Sequence, residues 1–282
     1  VYALCLDDGT TKNVRILDKE NLGRNRLQVI NQYAEMHGAR RSRYDVTILV
    51  NGLPLVHVEL KRRGVPLEDA FDQLERYRRE SFGAGGARLY EYVQLFVISN
   101  GTDTRYYPHP VRRGSRGQKG GGRGGFKFAT HWADRENRVI TDLLDFTKTF
   151  FAGRTLLSII AQYCVFTVDE ELLAMRPYQI AAAESILGRI REAQRQNRAG
   201  TREAGGYIWH TTGSGKTLTS FKVAQLASRI EGIDKVLFVV DRKDLDYQTI
   251  REYDRFEKGA ANGNTNTQVL KRQLGDPHRR II

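Results

Sequence analysis

The chain has few of the residues that stabilise secreted or membrane-embedded proteins. Its 282 residues include only two cysteines. Cys5 and Cys164 can form no disulfide framework and lack the spacing of metal ligands. No apolar run approaches the ~20 residues that span a bilayer, and no signal peptide is visible. We therefore expect a cytoplasmic protein with no membrane partner.

Acidic residues are also scarce relative to basic ones. Asp and Glu number 33 against 45 Lys and Arg, so the formal net charge is +12 and the pI is near 9.8. Such an excess is typical of proteins that bind an anionic partner, and nucleic acid is the first candidate. A solvated basic surface is the alternative. Because 40% of the residues are hydrophobic, the chain can bury real cores, and its length predicts about two domains.

The most specific motif lies at residues 208–218, which read IWHTTGSGKTL. In a loop of this type backbone N–H groups wrap phosphates, Lys216 neutralises their charge, and the Thr217 hydroxyl ligates Mg²⁺ at a helix N-terminus. The residues assigned to ATP binding are Thr211, Thr212, Gly213, Ser214, Gly215, Lys216 and Thr217. The general pattern has glycine where this chain has His210. A glycine-rich turn that binds no phosphate is the alternative.

The flanking segments predict that this loop lies between a strand and a helix. Residues 206–210 predict a short apolar strand, residues 218–230 a helix, and residues 236–241 a buried strand of a parallel sheet. Upstream, residues 176–179 (RPYQ) open an amphipathic helix. These residues resemble superfamily 2 helicase motors, in which a glutamine before the loop reads the adenine edge. The resemblance implies a RecA-like domain with a P-loop and a parallel sheet, and gives Gln179 that role.

A second group of functional candidates lies in the first third of the chain. Residues 43–61 (RYDVTILVNGLPLVHVELK) predict two antiparallel strands around an Asn51-Gly52 turn. A three-residue loop, residues 51–53, would place Asp45 opposite Glu59, with Lys61 on the same face. The apolar face would then carry Val46, Ile48, Val50, Val56 and Val58. A two-residue loop would bring the Asp45 carboxylate to that apolar face, which favours the longer loop.

Two acids beside a lysine suit metal-assisted cleavage of a phosphodiester. Asp45 and Glu59 would hold Mg²⁺, which lowers the pKa of a bound water, while Lys61 would position or activate that water. The arrangement resembles the PD-(D/E)xK nuclease site. This resemblance implies an α/β fold with a restriction-endonuclease-like mixed sheet and flanking helices. A structural salt bridge between Glu59 and Lys61 is the alternative.

Residues 66–80 predict a helix, whose buried stripe would consist of Leu67, Ala70, Phe71 and Leu74. Gln73 and Tyr77 share one face of it. Their spacing resembles the Q-x-x-x-Y element of RecB-like nucleases, whose side chains flank the metal site and contact DNA, although ordinary helix surface is the alternative. Residues 92–98 and 102–107 predict two more strands. The glycine-rich basic stretch at 113–125 predicts a mobile loop, with DNA contact as a second interpretation.

A nuclease motif followed by a motor motif is the order found in one family. The chain resembles the N-terminal part of the R subunit of type I restriction enzymes, with a PD-(D/E)xK endonuclease domain at residues 1–155 and the first part of a RecA-like motor at residues 156–282. The resemblance implies cleavage of double-stranded DNA coupled to ATP-driven translocation, with ATP and Mg²⁺ as cofactors. It also implies methyltransferase (M) and specificity (S) subunits as partners.

Three other protein classes are alternatives to this family, and the order and content of the motifs distinguish them. The chain opens at Val1 without methionine and stops at Ile282 before an acidic Mg²⁺-holding motif, so we expect a fragment. In type III restriction subunits the nuclease follows the motor. A helicase with a degenerate nuclease lobe need not keep Asp45, Glu59 and Lys61 together. A metabolic P-loop enzyme would leave the hairpin unexplained.

Overall fold

The computed structural model describes residues 2–14, 16–37, 40–77, 89–109, 125–239, 243–258 and 267–282. The chain divides into two compact units. The first comprises the described residues up to Gln162 except Arg135–Asn137, and the second comprises Arg135–Asn137 and the described residues from Tyr163 onward. The glycine-rich stretch predicted at 113–125 lies outside the described residues except for its last position, Gly125. The domain boundary predicted at 155 stays a prediction.

A five-stranded mixed sheet with the strand order β3-β4-β5-β6-β7 forms the centre of the first unit. The strands of this unit are β1 (Tyr2–Cys5), β2 (Thr11–Val14), β3 (Leu27–His37), β4 (Arg40–Val50), β5 (Leu53–Leu60), β6 (Leu95–Ser99), β7 (Thr104–Pro108), β8 (Trp132–Ala133) and β9 (Val139–Ile140). Its helices are α1 (Leu67–Tyr77), α2 (Leu143–Thr149) and α3 (Gly153–Ser158). Strands β5 and β6 are parallel, whereas the other neighbours in the sheet are antiparallel. Helix α1 lies in the crossover that a parallel pair requires.

Helix α1 packs on one face of this sheet through the stripe that the sequence predicted. Leu67, Ala70, Phe71 and Leu74 are all at most 4% exposed. They form one core with sheet residues that include Phe96, Ile98 and Tyr107. Each large apolar side chain buried in this way contributes about 1.5–3 kcal/mol, so the helix is anchored firmly over β5 and β6. The predicted helix extended to residue 80, but residues 78–88 lie outside the described part of the chain.

The turn between β4 and β5 differs from the prediction, although the register beyond it does not. Asn51 and Gly52 both have positive φ, 51° and 89°, and Val50 pairs with Leu53. The loop therefore has two residues, and the predicted three-residue loop is wrong. A β-bulge next to the turn then absorbs one residue of β5. Beyond the bulge the predicted pairs Ile48 with Val56 and Val46 with Val58 are present.

The two strands predicted after α1 are present with shifted boundaries. Tyr92 ends a short 3-10 helix at Leu89–Tyr92, and β6 begins at Leu95. The turn before β7 contains Gly101 with φ of 90°, and the Asn100 side chain accepts the main-chain N–H groups of Thr102 and Asp103. An asparagine side chain that closes a turn in this way ends one strand and starts the next.

The second unit contains a small hairpin and four α-helices among its described residues. These elements are β10 (Cys164–Phe166), β11 (Leu172–Ala174), α4 (Pro177–Arg195), α5 (Lys216–Ala227), α6 (Lys243–Phe256) and α7 (Thr267–Gly275). Val165, Phe221, Tyr253 and Phe256 form a buried core. The helices predicted before and after the phosphate loop are confirmed as α4 and α5. Within the described residues, no helix has the length and apolarity needed to cross a membrane.

The strands predicted beside the phosphate loop are not formed in the described part of the chain. Residues 206–210 pair with no strand, and Tyr207 and Trp209 are 88% and 86% exposed. In the second segment Val236 makes one parallel bridge with Ile281, and residues 240–242 are outside the described part. A strand of a parallel sheet is buried only between neighbouring strands and covering helices. Without them these apolar runs stay exposed.

Candidate functional site

Strand β5 ends in the buried acid and the amine of the E-x-K motif. Glu59 is 1% exposed, and its Oε1 accepts a hydrogen bond from Lys61 Nζ at 3.1 Å. Lys61 is anchored in turn, because its main-chain N–H donates to the Ser99 carbonyl oxygen at 2.8 Å. A carboxylate this deeply buried is costly unless a cation and hydrogen bonds compensate it. The amine of Lys61 supplies that compensation.

Asp45 lies at the same end of the β4–β5 pair, far from the turn. Its Oδ2 accepts the main-chain N–H of Leu60 at 2.9 Å, and its Oδ1 accepts from Gln32 Nε2 at 3.3 Å. The register of Val46 with Val58, continued by one pair, sets Asp45 opposite Glu59. The structure therefore brings Asp45, Glu59 and Lys61 to one end of the hairpin.

Helix α1 extends this polar group through Gln73 and Tyr77. Gln73 Oε1 accepts a hydrogen bond from Lys61 Nζ. Gln73 Nε2 donates to the Tyr77 hydroxyl at 2.7 Å, and that hydroxyl donates to the Arg43 carbonyl oxygen at 3.0 Å. Residues four apart lie one above the other on a helix. One chain of hydrogen bonds therefore links Glu59, Lys61, Gln73 and Tyr77.

The surroundings of Tyr77 disfavour ionisation of its hydroxyl. Burial raises the pKa of Tyr77 above its ordinary value, and the nearby carboxylate of Glu59 raises it further. Asp45 adds a smaller effect in the same direction, while Gln73 and Arg76 act against it. A neutral phenol can both donate and accept a hydrogen bond. Both carboxylates lie within electrostatic reach of this one hydroxyl.

His57 is a buried neighbour of the site to which the sequence alone assigned no role. It is 0% exposed, and its Nε2 lies 3.8 Å from Glu59 Oε2. Its Nδ1 is 3.4 Å from Thr47 Oγ1, which is 2.9 Å from the Tyr90 hydroxyl. The alternation of β5 already placed His57 on the same face as Glu59. The contact of Tyr90 with Thr47 could not be predicted from a local sequence pattern, because the two residues lie far apart in the chain.

The carboxylates at this site fit Mg²⁺, an ion that prefers oxygen ligands. Glu59 Oε2 is buried and accepts no hydrogen bond from the described residues, so its lone pairs remain available to a cation. Asp45 supplies a second carboxylate. Among the described residues no group of three or more His, Cys, Asp or Glu side chains is placed to hold a metal. The remaining ligands would be water and DNA oxygens, as is common for Mg²⁺.

The phosphate loop has two glycines in the left-handed backbone region. Gly213 and Gly215 have φ of 76° and 79°, in the left-handed region that favours glycine. Gly215 is the N-cap of α5, so the loop leads into the free N–H groups of a helix N-terminus. Lys216 Nζ donates to the carbonyl oxygens of Thr211 and His210 at 3.1 and 3.4 Å. The ammonium group therefore lies folded over the loop.

The other predicted residues of the loop also lie together. Thr211 accepts the main-chain N–H of Ser214 at 3.3 Å and its hydroxyl at 2.7 Å, which closes the loop on itself. Thr212 is exposed, and Thr217 is half-buried in the first turn of α5. Apart from Gln179, all the residues assigned to ATP binding are therefore part of one loop and the start of one helix.

The start of α4 contacts this loop directly. Gln179 Nε2 donates to the carbonyl oxygens of Ser214 and Gly215 at 3.1 and 3.2 Å. The Tyr178 hydroxyl donates to the same Ser214 oxygen at 2.8 Å. The glutamine expected to read adenine therefore contacts the loop backbone. The sequence assigned no role to Tyr178.

Comparisons with known proteins match the two parts of the chain to two family models. Residues 1–114 match the family model described as "Type I restriction enzyme R protein N terminus", and residues 178–282 match "SWI2/SNF2 ATPase". The type I restriction enzyme SauMSSORF170P endonuclease subunit of Staphylococcus aureus (strain MSSA476) is 41% identical over 271 residues, which are 96% of this chain and 27% of that relative. The chain thus spans 27% of the length of that relative.

Two other relatives are covered to a greater extent. The type I restriction enzyme EcoprrI endonuclease subunit of Escherichia coli is 49% identical over 193 residues, 68% of this chain and 58% of the relative. The C-terminal part of the type I restriction enzyme MpnIIP endonuclease subunit of Mycoplasma pneumoniae is 51% identical over 146 residues, 51% of this chain and 71% of the relative. The chain belongs to the family of type I restriction enzyme endonuclease subunits, the R subunits.

Proposed function

We propose that this chain carries the nuclease site of a type I restriction enzyme and the phosphate loop of its ATP-driven motor. The enzyme would cut double-stranded DNA in a Mg²⁺-dependent reaction coupled to ATP-driven translocation. Methyltransferase and specificity subunits would supply modification and sequence recognition. The observation that carries the nuclease part is the chain of hydrogen bonds from Glu59 through Lys61 and Gln73 to Tyr77, with Asp45 at the same end of the hairpin.

The nuclease chemistry follows from the positions of these side chains. Asp45 and Glu59 would hold Mg²⁺, which supplies a Lewis acid for attack on a phosphodiester when it is bound. Lys61 would orient the attacking water and stabilise negative charge that develops on the phosphate. Gln73 and Glu59 hold the Lys61 amine from two sides, so it meets the reacting atoms in a fixed place. Tyr77 keeps Gln73 oriented and would contact DNA.

The motor chemistry would use the loop before α5. Its N–H groups and Lys216 would bind the phosphates of ATP, and the Thr217 hydroxyl would ligate the Mg²⁺ that accompanies the nucleotide. The match of residues 178–282 to a SWI2/SNF2 ATPase supports this assignment. In this proposal the second unit is the first part of a RecA-like motor domain, and the first unit has a PD-(D/E)xK nuclease fold.

The experiment is a Glu59→Gln substitution in the R subunit assembled with its methyltransferase and specificity subunits. The substitution keeps the shape of the side chain but removes the charge that would hold Mg²⁺. We expect cleavage of supercoiled plasmid to be lost while ATP hydrolysis continues. Glu68→Gln, at an exposed position in the first turn of α1, is the matched control. Unchanged cleavage by Glu59→Gln would show that Glu59 is not part of the cutting site. Absence of cleavage by the wild-type complex, with ATP hydrolysis intact, would support the alternative, a translocase whose nuclease-like lobe only binds DNA.

A further inference from the structure

The first turn of α4 holds the phosphate loop at two points. At the tip of the loop, the Tyr178 hydroxyl and Gln179 Nε2 donate to the Ser214 carbonyl oxygen at 2.8 and 3.1 Å. Gln179 Nε2 also donates to the Gly215 carbonyl oxygen at 3.2 Å. Where the loop begins, the Tyr178 ring meets the His210 ring edge to face, with 5.6 Å between centroids. Tyr178 and Gln179 together are termed the α4 clamp below.

The side-chain amide of Gln179 is already engaged by the protein. Its Oε1 accepts the main-chain N–H of Arg176 at 2.8 Å, and its two N–H groups face two loop carbonyls. The residue is 4% exposed. An amide that reads adenine must offer both a donor and an acceptor to the base edge. Before Gln179 could read adenine, its NH₂ group would have to break its hydrogen bonds to the carbonyl oxygens of the loop.

Glycine at position 215 is required for this close approach. A Cβ on Gly215 would overlap the Gln179 amide nitrogen, in addition to the backbone strain that its φ of 79° would impose. The contact between Gln179 and the loop is therefore built into the motif.

The direction of the held carbonyls determines where the adjacent N–H groups point. In a trans peptide the C=O and the following N–H point in opposite directions across a planar unit. With the Ser214 oxygen directed at α4, the N–H group of Gly215 points away from α4. The Gly215 oxygen also accepts the main-chain N–H of Thr219 at 3.1 Å, so α5 itself helps to fix the direction of the Lys216 N–H. These are N–H groups at the start of α5, where a helix has no internal acceptor for them. They are the donors that a phosphate would meet.

We propose that Tyr178 and Gln179 are positioning residues that preset the Gly215 N–H group, at the start of α5, for a triphosphate. The clamp acts on the phosphate part of the nucleotide and leaves selection of the base to other groups. This inference rests on the proposed ATP-binding function. Its consequence is that loss of a clamp hydrogen bond weakens the binding of every triphosphate by a similar factor, whichever base is attached.

Two conservative substitutions separate the parts of the clamp. Tyr178→Phe keeps the ring beside His210 and removes only the hydroxyl donor. Gln179→Glu keeps an acceptor for the Arg176 N–H and removes both donors to the loop. Tyr207→Phe is the matched control, because it makes the same chemical change on a tyrosine that is 88% exposed.

The variants are made in the complete R subunit assembled with its partner subunits. Dissociation constants for Mg-ATP, Mg-GTP and Mg-tripolyphosphate are measured by competition against a fluorescent nucleotide, together with kcat and KM for ATP hydrolysis and the melting temperature. We expect Tyr178→Phe to weaken all three ligands about three- to tenfold, the range for one neutral hydrogen bond. Gln179→Glu should weaken them further. KM should rise while kcat changes little, because bound substrate and transition state lose the same contact.

Two results would contradict the positioning role proposed for the α4 clamp. Loss of ATP affinity with unchanged GTP and tripolyphosphate affinity would make Gln179 an adenine reader. A lower melting temperature with unchanged tripolyphosphate affinity would leave the clamp a purely structural role. The underlying proposal is tested separately by Lys216→Ala. If the wild type binds none of the three ligands, or Lys216→Ala binds them equally well, the ATP site itself is wrong.

Discussion

Lys61 joins three elements of the first unit, two through its side chain and one through its main chain. Its amine donates to Glu59 at 3.1 Å on β5 and also to Gln73 on α1. Its main-chain N–H donates to Ser99 at the end of β6. The E-x-K pattern predicted the pair with Glu59 from spacing alone, because residues two apart on a strand share a face. The third anchor at Ser99 depends on the parallel pairing of β5 with β6.

At this scale Lys61→Ala and Lys216→Ala should separate the two proposed reactions. Lys61→Ala should reduce DNA cleavage by about 10²–10³-fold, the effect typical of removing one group that stabilises developing charge. It should leave DNA-stimulated ATP hydrolysis nearly unchanged. Lys216→Ala should abolish both activities, because translocation precedes cutting in the proposed mechanism. Parallel ATPase and plasmid-cleavage assays on the assembled complex measure this, and loss of ATPase activity in Lys61→Ala would contradict two separate sites.

At the scale of elements, the β4–β5 hairpin and α1 together build the nuclease candidate. The tight Asn51-Gly52 turn has a twist that suits antiparallel strands, and the bulge that follows restores the register in which Asp45 lies opposite Glu59. The Asn51 side chain also accepts the main-chain N–H of Arg26 at 2.8 Å and donates to the Ile16 carbonyl at 3.0 Å. The turn is therefore tied to the segment before β3 as well as to its own strands.

Glycine substitutions in two elements should have effects of opposite sign on stability. Gly52 has φ of 89°, so Gly52→Ala should cost about 1–2 kcal/mol through backbone strain. Gly188 lies inside α4 with open space around the added methyl group, so Gly188→Ala should stabilise the protein by about 0.5–1 kcal/mol. Urea unfolding of the purified chain measures both changes. Equal effects of the two substitutions would exclude backbone conformation as the cause.

At the scale of the whole molecule, the net charge of +12 favours binding to nucleic acid of any sequence. Several basic residues lie beside the nuclease candidate, and Arg62 and Arg63, directly after Lys61, are exposed. A phosphate backbone could meet them as it enters the site. Such contacts release counterions, which makes the affinity fall as the salt concentration rises.

The purified chain should therefore bind duplexes of unrelated sequence with similar affinity. The logarithm of the affinity should fall with the logarithm of salt concentration by about 0.9 for each phosphate contacted. Replacing Arg62 and Arg63 by Gln should make this slope shallower. Arg195→Gln is the control, because Glu192 already pairs with that guanidinium at 2.6 Å. Titration of labelled duplexes at several salt concentrations measures the slope, and a marked sequence preference would refute the expectation.

Local patterns in the sequence determined much of the structure by themselves. The helical spacing of Leu67, Ala70, Phe71 and Leu74 predicted α1 and its buried face, because a helix repeats every 3.6 residues. Alternation along β4 and β5 predicted the pairing of Val46 with Val58, and the motif at 208–218 predicted the helix that begins directly after the phosphate loop. These predictions succeeded because each depends on residues that are close together in the chain.

Other features were decided only by tertiary structure. Alternation predicts the register of β4 and β5 beyond the Asn51-Gly52 turn. It cannot locate the bulge that restores this register, since an extra residue can be absorbed at more than one position. The approach of His57 to Tyr90 through Thr47, and that of Tyr178 to Ser214, joins segments that share no local pattern. The apolar runs at 206–210 and 236–239 have the composition of buried strands. They stay largely exposed because burial of a parallel strand depends on neighbours from elsewhere in the chain, which its own residues do not specify.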